Sequence, residues 1–110
     1  MSWQNIRFAE IQSIEKVVAE FYVSCVKYIP NIYFRVKITE DIYGKYSGRV
    51  NLAIKNFRDD SPEWVGGTGD SVDEALENSI KNLIDSIESS GKDINCLRDE
   101  DFEWSSHEDF

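Results

Sequence analysis

One run of the sequence has the residue types to hold an anion: Gly66-Gly67-Thr68-Gly69-Asp70-Ser71, placed just where a helix would begin. Backbone N–H groups of a glycine loop leading into a helix N-terminus can cradle a phosphate. This run lacks the lysine of a nucleotide-binding loop and puts Asp70 where the phosphate would sit, so it reads as turn and cap. His107 stands alone in an acidic stretch with no second histidine to share a metal. Cys25 falls in an alternating run and reads as a core side chain, and Cys96 as a free thiol. Carboxylates are plentiful, yet none adjoins a sequence environment that would raise its pKa. No spacing fits a zinc or calcium site. The chain is expected to have no catalytic residues, no metal and no cofactor.

Recognition chemistry is better represented. Asp99, Glu100, Asp101, Phe102, Glu103 and Trp104 interleave carboxylates with large aromatics. Such a segment can steer toward a basic partner by charge and hold it by aromatic burial. Asp73 and Glu77, on the outer side of the helix described below, form a second acidic patch. The whole chain of 110 residues has 21 acidic against 12 basic residues, a net charge of −9. That field repels nucleic-acid phosphates and anionic membranes and favours a basic protein.

These groups need a scaffold, and the sequence supplies one. Ser71 and Glu74 have capping-box spacing. Val72, Ala75, Leu76, Ile80, Leu83, Ile84 and Ile87 follow at three- and four-residue steps, the pattern of a helix buried along one stripe and stopped by Gly91. Upstream the period changes to two. Phe21, Val23, Cys25 and Ile29 alternate with Tyr22, Ser24, Val26 and Tyr28, and Pro30-Asn31 reads as a turn. Ile32, Phe34, Val36 and Ile38 alternate with Tyr33, Arg35, Lys37 and Thr39. After a loop over 41–48, Val50, Leu52 and Ile54 point inward, with Arg49, Asn51 and Lys55 outward. Glu63-Trp64-Val65 reads as a short last strand running into the glycines.

The expected fold is therefore α+β: an antiparallel sheet of three to four strands with one long C-terminal helix packed on one face. A short N-terminal helix is expected within residues 3–16, since Ile11, Ile14, Val17, Val18 and Phe21 have helical spacing, and it gives way to a strand near Val18 where β-branched residues gather. Residues 1–91 form one domain, and 92–110 form an acidic, aromatic-containing tail. That tail reads either as a docking peptide or as an edge strand over 101–104 with fraying last residues. The basic residues Arg35, Lys37, Arg49 and Lys55 gather on the polar sheet face, where they meet solvent, a partner or the tail.

The segment Thr68-Gly69-Asp70-Ser71-Val72-Asp73-Glu74-Ala75-Leu76-Glu77-Asn78 resembles the strand-to-helix junction of HicB-like antitoxins, which carry a Gly-Asp-Thr/Ser-x-Glu-Glu-Ala-Leu-x-Asn run after a short hairpin. The likeness extends from about Ile32 to Ile87, and Ser90 to Ile94 resembles the loop before that family's last strand. The resemblance implies a small acidic domain that binds and silences a toxin ribonuclease. The proline- and glycine-containing turn after the family's second strand is missing, and no DNA-binding segment follows. The order helix, three strands, helix also resembles a double-stranded-RNA-binding domain. Val72 and Asp73 stand where that family has lysines, so RNA binding is not implied.

The function expected is a non-enzymatic acidic protein-binding module, an inhibitor of antitoxin, immunity or phage-antagonist type. The alternative is an adaptor that forms a homodimer through a sheet edge near Trp64. No signal peptide is readable and no apolar run approaches the ~20 residues of a membrane span, so the expected setting is cytoplasmic.

Overall fold

The computed structural model describes residues 2–25 and 27–110, and the side chains of all of these except residues 29–32. After a 3₁₀ turn at Trp3–Asn5 come β1 (Lys16–Cys25), β2 (Ile29–Glu40), β3 (Tyr46–Val50), β4 (Leu52–Lys55), β5 (Pro62–Glu63), β6 (Gly66–Gly69), α1 (Val72–Glu88) and β7 (Phe102–Trp104). The strands form two antiparallel sheets, ordered β1-β2-β3-β6 and β5-β4-β7. The molecule measures 52 × 27 × 21 Å. Its fold is α+β, with the helix on one sheet face.

The alternation in β2 is realised. Phe34, Val36 and Ile38 are fully buried, while Tyr33 is exposed. Opposite them in β1 stand Val23, Phe21 and Ala19. The hairpin turns earlier than the sequence suggests. The Tyr28 N–H donates to the Cys25 carbonyl and the Tyr28 ring is buried, so Pro30 and Asn31 already belong to β2. Val26 lies outside the described residues.

The expected third strand divides at Asn51. Its N–H donates to the Arg35 carbonyl, its Oδ1 accepts the Arg35 N–H at 2.7 Å, and its own carbonyl accepts the Ser105 N–H. An outward-facing asparagine was expected; instead a buried one passes the chain from one sheet to the other. Every polar atom it buries is paired, as a position under a sheet junction demands.

The glycine run differs most. Gly66–Gly69 is the strand β6, paired with β3 from Gly69 opposite Tyr46 to Gly66 opposite Arg49. A Cβ on Gly67 would stand 2.5 Å from the Ser79 nitrogen and 2.7 Å from the Asn78 carbonyl carbon. On Gly48 of β3 it would collide with Ser79 Oγ. The helix therefore lies almost backbone to backbone on the sheet. The small residues Ala75 and Ser79 face the glycines, and Ser79 Oγ is satisfied by donating to the Ala75 carbonyl at 2.7 Å.

The cap holds with one change. Ser71 Oγ accepts the Glu74 N–H at 3.1 Å, but the Glu74 carboxylate accepts from the Asp70 N–H, one residue before the N-cap. At the other end, Ser89 Oγ and Ser90 Oγ donate to the carbonyls of Asp85 and Ile87. Gly91, at φ +82°, turns the chain away only after these serines have closed the helix. Among the described residues the N-terminal segment has a 3₁₀ turn at Trp3–Asn5 and no α-helix. Residues 6–15 are irregular with Ile11 exposed, and β1 begins at Lys16, where the β-branched Val17 and Val18 favour a strand.

Candidate protein-docking surface

The seven-aliphatic stripe of α1 is wider than the contact it makes. Ala75, Ser79, Leu83 and Ile87, at strict four-residue steps, are the buried row. On one flank Asn78 Nδ2 donates to the Thr68 carbonyl at 2.8 Å and Asn82 Nδ2 to the Gly66 carbonyl at 2.7 Å. These bonds tie that flank to the outer edge of β6. At ~100° per residue the row Val72, Leu76, Ile80 and Ile84 then lies on the opposite flank, toward β2 and β1. All four are only half-buried.

Sheet width explains why. Four strands ~4.8 Å apart span about 14 Å between outer axes, and a helix covers about 10 Å of that. With α1 seated over β6 and β3, the inner face of β1 is left without a helix above it. Ala19, Phe21, Val23 and Cys25 are accordingly half-buried. Along α1 itself Leu76, Ile80 and Ile84 line an open groove of about 490 Å³, bordered by Asp73, Glu77, Lys81 and Asp85. Among the described residues none of these four charges forms an ion pair. The groove is apolar at its base and acidic at its rim.

Asp73 and Glu77, expected as an outward patch, are exposed and lie on this rim. The residues expected from 99–104 are placed differently from one another. Asp99 and Glu100 are exposed in a second 3₁₀ turn at Asp99–Asp101. Phe102 is buried opposite Ile54, Glu103 is exposed opposite Ala53, and Trp104 stands opposite Leu52, 42% exposed. Of the two readings of this segment, the structure takes the edge strand, since β7 pairs with β4. A second groove of about 570 Å³ brings Trp104 and Glu103 together with Trp64, Arg49 and Asp109. It shares no residue with the helix groove, so the two expected patches remain separate surfaces.

Asp101 serves the fold. Its carboxylate accepts the Arg98 N–H at 2.8 Å and a bond from Lys92 Nζ at 3.3 Å, and Lys92 also reaches Asp60 at 2.8 Å. The Arg98 N–H, followed by the Lys92 ammonium, holds the Asp101 carboxyl below its ordinary 3.8. The Asp60 hydrogen bond, with Asp101, raises the Lys92 ammonium above 10.5. A depressed carboxyl contributes stability above its unfolded value and loses it as pH falls through the folded one; a raised ammonium contributes below 10.5 and loses it as pH rises further. Asp101→Asn is thus expected to lower the urea midpoint by a constant amount between about pH 5 and about pH 9, with the gap to the native protein closing below 3.8. A gap that does not narrow at all as pH falls below 3.8 would remove the carboxylate from this role.

The basic sheet face is met by the chain's own last aromatic. Lys37 Nζ lies 4.5 Å from the centroid of the Phe110 ring and donates to a Phe110 main-chain oxygen at 2.7 Å. The Arg35 guanidinium is 5.2 Å from the same ring. Phe110 is buried rather than frayed.

Residues read for chemistry stay apart. Asp70 pairs with Lys45 at 3.3 Å, and the helix start is closed by Ser71 and Glu74. Cys25 is a half-buried free thiol, Cys96 an exposed one, and His107 is exposed. Among the described residues no three His, Cys, Asp or Glu side chains cluster as a metal site, and no helix is long and apolar enough to cross a membrane. No protein-family model, curated protein or solved structure matches this chain. The sequence pattern missed that Leu76, Ile80 and Ile84 form a surface. The available signal was Ser79, a small polar residue interrupting the stripe at the place where the true contact row runs.

Proposed function

We propose that this protein is a non-enzymatic acidic protein-binding module, an inhibitor of antitoxin, immunity or phage-antagonist type that covers a basic or nucleic-acid-processing protein. The observation that carries this reading is the half-buried Leu76–Ile80–Ile84 row bordered by Asp73, Glu77 and Asp85 on a chain of net charge −9. Apolar area supplies hold, and unpaired carboxylates around it speed the approach of a cationic surface. Glu103 and Trp104, beside Trp64 and Arg49, offer a second contact of the aromatic and arginine type that dominates many interfaces.

Purification from the source cell at low and high salt tests the reading. A stoichiometric basic protein is expected at low salt, released at about 0.5 M salt and absent with Asp73→Lys/Glu77→Lys. Recovery of a partner that ignores both salt and the double variant would defeat the electrostatic part of the proposal.

A second reading has its own support. β1 is a ten-residue strand with an unpaired outer edge, which can template pairing with another copy. It suits self-association better than the segment near Trp64, where β5 has two residues and one is Pro62. Light scattering that finds a stable dimer, lost when a proline is placed at Tyr22, would favour an adaptor.

A further inference from the structure

Resting on that protein-binding reading, we infer that the partner's recognition element is a cationic amphipathic helix, seated beside α1 over the inner face of β1. The first ground is space. A four-stranded sheet has room for two helices side by side at an interaxial distance of ~8–10 Å, and this sheet carries one, held toward β6 by Asn78 and Asn82. The second is surface. Leu76, Ile80 and Ile84 line the groove along α1, and Phe21 and Val23, on the face of β1 that carries the core residues, are half-buried in the same way.

Charge selects the occupant. A helix in this position meets Asp73, Glu77 and Asp85 along the groove rim, against a single Lys81. Lysines or arginines flanking its apolar face would pair with those carboxylates. A second copy of this chain would instead bring its own rim of like charge to the same place. The length also follows. Leu76 to Ile84 spans just over two turns, so the incoming helix engages through apolar anchors at i, i+3 or i+4, and i+7.

The test uses the full chain and a synthetic helical peptide of leucine and lysine with leucines at those positions. Its controls are a scrambled peptide of the same composition and one with glutamate for lysine. The lysine peptide is expected to bind in fluorescence anisotropy, and the controls are not. Methyl and amide shifts are expected at Leu76, Ile80, Ile84, Phe21 and Val23. Ile80→Asn is expected to weaken binding at least about tenfold, while Asp73→Asn/Glu77→Gln weakens it several-fold at low salt and little at high salt.

Binding with shifts confined to Trp64 and Trp104 would overturn the helix seat while leaving the protein-binding reading intact. A free protein that is already dimeric, and becomes monomeric with Ile80→Asn, would overturn it in favour of a second copy. Equal binding of all three peptides, or of none, also overturns it; the salt-dependent co-purification above then decides the broader reading separately.

Discussion

Gly67→Ala is expected to destabilise the protein by about 3 kcal/mol, although it adds one methyl group to a residue with no unusual backbone angle. The loss follows from what the methyl meets, which is the backbone of α1 at Ser79 and Asn78 rather than a side chain able to rotate away. Relief requires the helix to lift from β6. That would stretch the Asn78 and Asn82 bonds to the Thr68 and Gly66 carbonyls and loosen the Leu83 and Ile87 contacts beneath. A fall of roughly 10 °C in Tm corresponds to this loss in a chain of this size. Thr68→Ala, on the exposed side of the same strand, is expected to change stability by under about 0.5 kcal/mol. If these glycines formed only a loop, Gly67→Ala would be neutral or slightly stabilising through the unfolded chain. Urea unfolding of the two variants distinguishes the outcomes.

Leu83→Ala is expected to cost about 3–4 kcal/mol, whereas Ile80→Asn is expected to cost about 1 kcal/mol, though the two residues lie one turn apart on one helix. Leu83 is 1% exposed, within a cluster containing Val36, Ile38, Leu52 and Ile54, and its removal leaves a cavity. Ile80 is half-buried on the groove side and leaves no enclosed void. The same pair is expected to reverse order in partner binding, where Ile80 matters and Leu83 acts only through folding. Denaturation and binding measured on both variants check the crossover. Equal destabilisation by both would mean that the groove is part of the core and not a docking surface.

Local periodicity made much of this fold legible. Phe34, Val36 and Ile38 announced a half-buried strand, and Ser71, Glu74 and the aliphatic steps announced α1, because each is a short-range pattern set by backbone geometry. Three features were not legible. The glycines read as a turn, since their lack of side chains signals a loop as readily as a surface for close helix approach. Asn51 read as an outward residue, since its partners, Arg35 and Ser105, are distant in sequence. The segment from Asp99 to Trp104 read either as a docking peptide or as an edge strand, and tertiary pairing divides it between the two roles. Asp101 and Phe102 are committed to the fold, while Glu103 and Trp104 remain at the surface.

What the sequence determined by itself is the class of the fold, the limits of its helix and the sign of its charge, because periods, caps and composition act within a few residues or over the whole chain. The tertiary structure alone decided which aliphatic row of α1 is core and which is surface. That choice depends on where the helix sits across the sheet. It is made by contacts between residues far apart in the chain: Gly48 and Gly67 admitting the backbone at Ser79, and two asparagines fastening the helix to one edge.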